Sequence, residues 1–422
     1  MPAWCQFRQQ AMDEQFGPRI LPRKESLPFS VLIEAENEIE QANIEKVKAT
    51  FYELMKTPVI KAGAVMPDAC PAGRMGEITV GGVAASTEIH PGFHSADICC
   101  SMAISVLGTV DPVAVLDAGM KLTHFGPGGR AFSQDMQCPV SLLGEFEANP
   151  FLSMATDAAR KHFATQGDGN HFFFVGHLKS NGATAIVTHH GSRKPGAILY
   201  RNGMDAAERY RVKISPETLP WNAWIPADTI DGDNYWQALQ IIRTWTKKNH
   251  FAIHDSVAKF LGVKVKDRFW NEHNFVFQKL DGLFYHGKGA TPAWEYFASD
   301  ATDLTIIPLN MAEPVLIVRG KNNPDALGFS PHGAGRNTSR TAHLKSIGEL
   351  CQASRLAEET RGLDVRFYAG QPDLSELPSA YKNAAAVRAQ IERFDLAEIV
   401  DEVIPYGTIM AGDVQRQWRR QA

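Results

Sequence analysis

The chain contains no apolar run approaching the ~18 residues that span a bilayer. Its opening residues, MPAWCQFRQQ, lack the apolar core that directs secretion. Membrane insertion and export are therefore not expected, and the cytoplasm is the expected compartment. Cysteine is sparse: Cys5, Cys70, Cys99, Cys100, Cys138 and Cys351 are scattered through 422 residues, which suits reduced thiols better than a disulfide framework. Positive charge is not in excess either. With a net charge of −4, any contact with nucleic acid must come from a local cluster of Arg and Lys. No internal repeat, low-complexity tract or Gly/Ser linker divides the chain, so a single domain over residues 1–422 is expected.

What is present is an ordinary globular composition, 44% hydrophobic and 21% charged, sufficient for a large core. Ile44, Val47, Phe51 and Leu54 recur at three- and four-residue spacing, which predicts an amphipathic helix over Glu36–Met55 lying on something flat. Further helices are expected at about Leu152–Phe163, at about Tyr235–Leu261, and after Ser379, where AYKNAAAVRAQIERF is dense in helix formers. The runs Ala185–Thr188 and Val315–Val318 read as buried strands. Strands and helices do not alternate in the rhythm of a doubly wound sheet. The expected class is α+β, with mixed or antiparallel sheets flanked by helices.

Four loop segments carry chemistry. In HSADICCSM, Asp97 and Cys100 are three apart, and a carboxylate and a thiolate that close can share an ion. Alone, the pair reads more readily as a buried thiol beside a turn carboxylate; His90 and His94, in the adjoining Pro/Gly turn, read as solvated. In GDGNHFFFVG, Gly167 and Gly169 permit the backbone path that delivers Asn170 and His171 to the mouth of an aromatic strand. In IVTHHGSRKPG, a strand runs into His189, His190, Gly191, Ser192 and Arg193, an order that can hold a metal on one side and a phosphate on the other. WNEHNFV adds His273 and Asn274 in the same style. The fourth segment is FSPHGAGRNTSRTAHLK. After His332, the bare backbone of Gly333-Ala334-Gly335 can form an anion-binding nest, Asn337 can cap a following helix, and Arg336 and Arg340 would share one helical face.

In this order the motifs resemble those of the RtcB family of RNA-splicing ligases. The pieces are AVMPD at 64–68, D-I-x-C at 97–100, G-x-G-N-H-F at 167–172, H-x-G-S-R at 189–193, H-N at 273–274, K-G-A at 288–290, I-V-R-G at 317–320, H-G-A-G-R-x-x-S-R at 332–340 and A-Y-K at 380–382. The similarity covers about 58–383, leaving 1–57 as an N-terminal strand and helix segment and 384–422 as a diverged C-terminal helix and extension.

The resemblance implies an RNA ligase that joins 3′-phosphate or 2′,3′-cyclic phosphate ends to 5′-hydroxyl ends in RNA repair or tRNA splicing, with GTP and two Mn2+ ions as cofactors. It implies Asp97, Cys100, His171, His189 and His273 as metal ligands and His332 as the nucleophile that takes up GMP. It places Asn170, His171, Phe172, His273, Asn274, Pro308, Met311, His332, Gly333, Ala334, Gly335 and Tyr381 in the nucleotide site, with Tyr381 stacked on the base. Ser192, Arg193, Arg336 and Arg340 are the candidates for holding nucleotide and RNA phosphates. The alternatives are a diverged nucleotidyltransferase acting on another RNA end or using another NTP, and a non-catalytic metal-bound RNA-binding protein. The chain departs from the family pattern at Ala69-Cys70-Pro71, at Cys99 and Ser101 in place of glycines, at His190 in place of Ser, at Leu309-Asn310 in place of Gly-Ser, at Val315, and at its end, where YGTIMAGDVQRQWRRQA replaces a closing Lys-Gly.

Overall fold

The helix expected over 36–55 forms as α1, Glu38–Leu54. Asn37 starts it by accepting a hydrogen bond from the Glu40 backbone N–H at 3.0 Å. Its periodic residues Ile44, Val47, Phe51 and Leu54 are all buried, packed with Ile60, Val65, Ile78 and Ala84 of a sheet. Each such side chain contributes about 1.5–3 kcal/mol of transfer free energy. The structure is a computed structural model and describes residues 19–72, 77–130, 136–348 and 352–413. The chain's last residues, from 414 onward, lie outside the described set, as do Cys5 and Cys351.

Fifteen strands are described. The first five are β1 (Ser30–Val31), β2 (Ile60–Ala72), β3 (Glu77–Ser86), β4 (Ser101–Gly108) and β5 (Phe172–Leu178). Then come β6 (Thr184–His190), β7 (Asp267–Glu272), β8 (Asn274–Gln278), β9 (Phe284–Lys288) and β10 (Ala290–Pro292). The last are β11 (Leu304–Ile307), β12 (Val315–Gly320), β13 (Phe329–Pro331), β14 (Asp364–Phe367) and β15 (Ala397–Met410). One sheet has the order β1-β2-β3-β9-β8 and a larger one the order β11-β12-β15-β5-β6-β4-β7, with β14 added on β15; β10 and β13 form a separate pair. Pairing is antiparallel except for β1 with β2 and β14 with β15. This is the α+β arrangement that the irregular alternation predicts, built as a single domain.

The other helices are α2 (Pro112–Leu122), α3 (Val140–Ala148), α4 (Thr156–Lys161), α5 (Arg193–Ile214), α6 (Ile230–Leu261), α7 (Arg340–Ile347), α8 (Gln352–Glu359) and α9 (Ala384–Arg393). The long α6 lies behind the larger sheet and fully buries Tyr235 and Trp245. It starts at Ile230, ahead of the expected Tyr235, because Thr229 accepts from the Gly232 N–H and caps it there. The element expected at 152–163 is a 3-10 turn, Ser153–Ala155, running into the short α4. At α7 the cap is Ser339, whose hydroxyl accepts from the Ala342 N–H at 3.2 Å, and not Asn337. Among the described residues, no helix is long and apolar enough to cross a membrane.

Candidate functional site

Four neighbouring antiparallel strands, β5, β6, β4 and β7, bring four of the candidate ligands to one end of the larger sheet. Successive antiparallel strands begin and end at the same edge, so His171 before β5, His189 near the end of β6, Cys100 before β4 and His273 after β7 converge. The register fixes this: His189 lies opposite both Phe172 and Met102. The loop supplying Asp97 and Cys100 is held under strain, with Ser95 and Cys99 both at φ 57. That left-handed conformation suits glycine, and a functional loop is where its cost is tolerated. Gly191 lets the loop close in, since a Cβ there would stand 1.8 Å from Asp97 Oδ1.

The donor atoms face one another. His189 Nδ1 donates to the Asn170 carbonyl at 3.0 Å, which leaves the Nε2 lone pair directed at Cys100 Sγ and His273 Nε2, each 3.2 Å away. Burial and the neighbouring His171 lower the His189 pKa to about 3, and burial with His332 holds that of His273 well down, so both imidazoles are neutral ligands at pH 7. His273 Nδ1 is buried without a partner. His171 Nδ1 accepts from the Arg193 guanidinium at 3.2 Å and its Nε2 meets Asp97 Oδ2 at 3.1 Å; a cation at Nε2 would take the place of that proton. Although burial disfavours its charge, His171 and Arg193 hold the Asp97 carboxyl well below the usual range. Ligand atoms of Cys100, His171 and His189 all lie within 4.8 Å of one another. Converging lone pairs, a thiol and an orphaned ring nitrogen are what a soft-to-borderline divalent cation satisfies, so these residues fit a metal ion.

His332 follows β13 and stands with its ring centroid 4.9 Å from that of His273. Asp68, fully buried at an irregularity of β2, accepts both the His332 backbone N–H at 3.0 Å and its Nδ1–H at 2.5 Å. The ring is thereby fixed with Nδ1 protonated and Nε2 available as a nucleophile. Gly335, at φ 73, allows the nest to pass over β2: a Cβ there would be 2.0 Å from the Asp68 carbonyl oxygen. Lys288 lies nearby, almost wholly buried, with its ammonium on the Ile78 carbonyl at 2.6 Å. Burial lowers its pKa to about 8, against the pull of Glu77.

Arg336 and Arg340 do not share a helical face, because α7 begins only at Arg340. They converge instead on buried Glu376, at 3.1 and 2.6 Å. Tyr381 donates its hydroxyl to the same carboxylate at 2.5 Å, and the Arg336 guanidinium lies 5.1 Å from the Tyr381 ring centre. Arg340 keeps 53% of its side chain exposed and can still reach a phosphate; Arg336, at 20%, is largely committed. Ser192 spends its hydroxyl on the Ile98 carbonyl at 2.5 Å, tying the α5 start to the Asp97 loop. His90 and His94, expected to be solvated, are fully buried, packed around His286 with ring centroids 5.9 and 5.7 Å from it. Their turn is roofed by Trp224 and Tyr235, apolar neighbours that sequence position does not reveal.

A cavity of about 240 Å³ opens beside these groups. Every residue expected at the nucleotide site lines it except His171, which stands behind Asp97 and Cys100. Asp68 and Lys288 fall within the AVMPD and K-G-A motifs with no role assigned from sequence, and Glu376 falls in none of the motifs. A carboxylate inside the apolar run AVMPDA is a signal that could have found Asp68, since a buried Asp requires a partner; Glu376, in a short polar turn, carries no such signal.

A profile of the RtcB family, described as tRNA-splicing ligase RtcB, matches residues 135–411. The chain belongs to the RtcB family. It is 29% identical over 258 residues to RNA-splicing ligase RtcB1 of Escherichia coli and 28% identical over 258 residues to RNA-splicing ligase RtcB of the Escherichia coli K-12 strain. Each match covers 57% of this chain and 59% of the relative, so the chain spans little more than half the length of the curated RtcB proteins it matches. The RtcB profile starts after the Asp68 and Asp97 segments, which join the site through the sheets described above.

Proposed function

We propose that this chain is an RNA ligase that joins RNA 3′-phosphate or 2′,3′-cyclic phosphate ends to 5′-hydroxyl ends through a His332–GMP intermediate, using GTP and two Mn2+ ions, in RNA repair or tRNA splicing. The observation that carries the reading is the Asp68–His332 pair: the carboxylate holds Nδ1–H at 2.5 Å, so Nε2 faces the cavity as a nucleophile beside the donor cluster. Asp97, Cys100, His171, His189 and His273 would hold the metal. When bound, divalent cations neutralise phosphate charge and orient the reacting groups. By intrinsic affinity such a mixed donor set favours zinc; manganese comes from the family reading.

His332 Nε2 attacks the α-phosphorus of GTP, a P–N bond forms, and the bond to the β-phosphate oxygen breaks with release of pyrophosphate. A 2′,3′-cyclic end would first be hydrolysed to a 3′-phosphate, water adding at phosphorus as the P–O2′ bond breaks; an oxygen of the RNA 3′-phosphate then attacks the GMP phosphorus, the P–N bond breaks, and His332 returns to its neutral form. The 5′-hydroxyl attacks the activated 3′-phosphorus, losing its proton, and GMP leaves. Asp68 stabilises the positive charge that His332 acquires in the first step. Arg193 and Arg340 would hold RNA and nucleotide phosphates, and the backbone N–H groups of Gly333–Gly335 the nucleotide.

The test is to incubate the protein with α-labelled GTP and manganese, denature it, and assay protein-bound label. Acid-labile, alkali-stable label on the wild type and none on His332→Ala is the expected result. Absence of label with GTP, ATP, CTP and UTP alike would overturn nucleotidyl transfer.

A further inference from the structure

The walls of the cavity beyond His332 differ from those at the donor cluster. Phe172 is opposite His189 across β5 and β6, and Phe174 lies one pleat further along the same face, roughly 7 Å away. Across the β5–β15 ladder Phe174 faces Thr408 and Phe172 faces Met410. These four side chains, with Met311 and Val315, make an inner wall whose only polar group is one hydroxyl.

Guanine offers a purine-reading site two adjacent donors, N1–H and the 2-amino group, and one acceptor, O6. Recognising it against adenine requires an acceptor for the donor pair, and a carboxylate is the usual solution. Among the described residues, Glu376 is the only carboxylate lining the cavity apart from Asp97 of the donor cluster. Its acceptor positions are taken. Arg340 Nε, Tyr381 Oη and Arg336 NH1 donate at 2.6, 2.5 and 3.1 Å, with Ser375 Oγ at 3.5 Å, four donors on a group with about four lone-pair sites. Were Arg340 to turn to a phosphate, Arg336 and Tyr381 would still hold the carboxylate, and freeing it altogether would strip the largely buried Arg336 guanidinium of its ion-pair partner. Asn310 has its carbonyl oxygen on the Ala312 N–H at 2.9 Å, which leaves its NH2 as a donor. That donor satisfies guanine O6 or adenine N1 equally, and the Thr408 hydroxyl can accept from the 2-amino group of one or the 6-amino group of the other.

We infer that the base slot of this chain accepts purines by stacking and apolar contact without reading the guanine edge, so that ATP serves beside GTP as the nucleotidyl donor. The inference rests on the transfer reading given above. Tyr381 on one side and the Phe172–Phe174 wall on the other supply contact area that any purine covers. A slot of this kind discriminates by up to about a hundredfold, whereas a site that hydrogen-bonds the distinguishing groups discriminates by ~10⁴–10⁵.

Initial rates of protein labelling by α-labelled GTP, ITP, ATP and UTP, measured with the full chain and manganese chloride, test this directly. The expected result is ATP and ITP within about a hundredfold of GTP, with UTP behind all three because a pyrimidine covers less of the wall. A preference for GTP over ATP above about a hundredfold overturns the inference; loss of ITP together with ATP would identify the 2-amino group as the feature read. If no nucleotide labels the protein, the transfer reading fails, and calorimetric titration of GTP and ATP into the same sample decides the slot independently. Affinities within about a hundredfold of each other sustain it, and a wider gap or no binding of either overturns it.

Discussion

His189 and His190 are neighbours near the end of β6, and strand alternation sends their rings to opposite faces of the sheet. On the far face, His190 stacks on His250 of α6 at 3.4 Å, with Nε2 3.0 Å from the Asn249 amide and Nδ1 3.1 Å from the Gly191 carbonyl. His250 and His254 share the Thr188 hydroxyl at 2.7 and 2.8 Å, and their remaining nitrogens meet Ser101 at 3.0 Å and Ser105 at 2.8 Å. Every ring nitrogen there has a protein partner. On the near face, His189, His273 and Cys100 point lone pairs at one another, and His273 Nδ1 has no partner. Both faces are buried and rich in histidine; they differ in that the near face gathers a thiol and several imidazoles around one point and leaves a ring nitrogen without a protein partner.

The comparison breaks most visibly through metal content. His189→Ala is expected to weaken manganese binding by more than about a hundredfold, the upper end of what losing a mere supporting group costs. His254→Ala should keep the wild-type stoichiometry when both are dialysed against the metal and assayed by elemental analysis. Equal loss in the two variants would show that the faces are not distinct. His332 sharpens the contrast because it combines both behaviours, one nitrogen satisfied by Asp68 and the other free. Asp68→Asn, which changes the preferred tautomer while keeping the shape, should slow GMP labelling by roughly 10²–10⁴-fold with metal content unaltered. A rate within threefold of wild type would remove Asp68 from the reaction.

The sequence was most legible where local periodicity and tertiary packing agree. Ile44, Val47, Phe51 and Leu54 mark one face of α1, and that face is the one buried. The metal-site candidates could be named from motif order, but nothing local reveals that β5, β6, β4 and β7 align their ends, because those pairings join residues far apart in the chain. The same limit explains the reversals. His90 and His94 sit in a turn of polar composition that α6 and Trp224 cover from a distance, and Arg336 and Arg340, spaced for a helix face, are gathered by Glu376 from 36 to 40 positions away. Composition shows which groups can bind an ion or a phosphate; only the fold shows which have already been used.

Smaller effects belong to the far face and to stability. His254→Ala removes the partner of Ser105 and opens a cavity against Phe251, which should cost about 2–4 kcal/mol in denaturant unfolding. A cost below about 1 kcal/mol would mean that water substitutes for the ring and that the network is loosely packed.

The most discriminating small effect is the dependence of stability on pH. Burial, with repulsion from Arg268, lowers the His254 pKa from 6.5 to about 3. Between those values the unfolded chain binds a proton that the folded chain refuses, so the stability associated with neutral His254 is complete above about 6.5 and is lost as the pH falls toward about 3. Each such group adds a slope of up to ~1.4 kcal/mol per pH unit within that window. His254→Gln retains hydrogen-bonding capacity without titrating, and its unfolding free energy should fall less steeply with acid by about that amount. An unchanged slope would mean that His254 takes up its proton in the folded state, with both ring N–H groups then donating to the Thr188 and Ser105 hydroxyls.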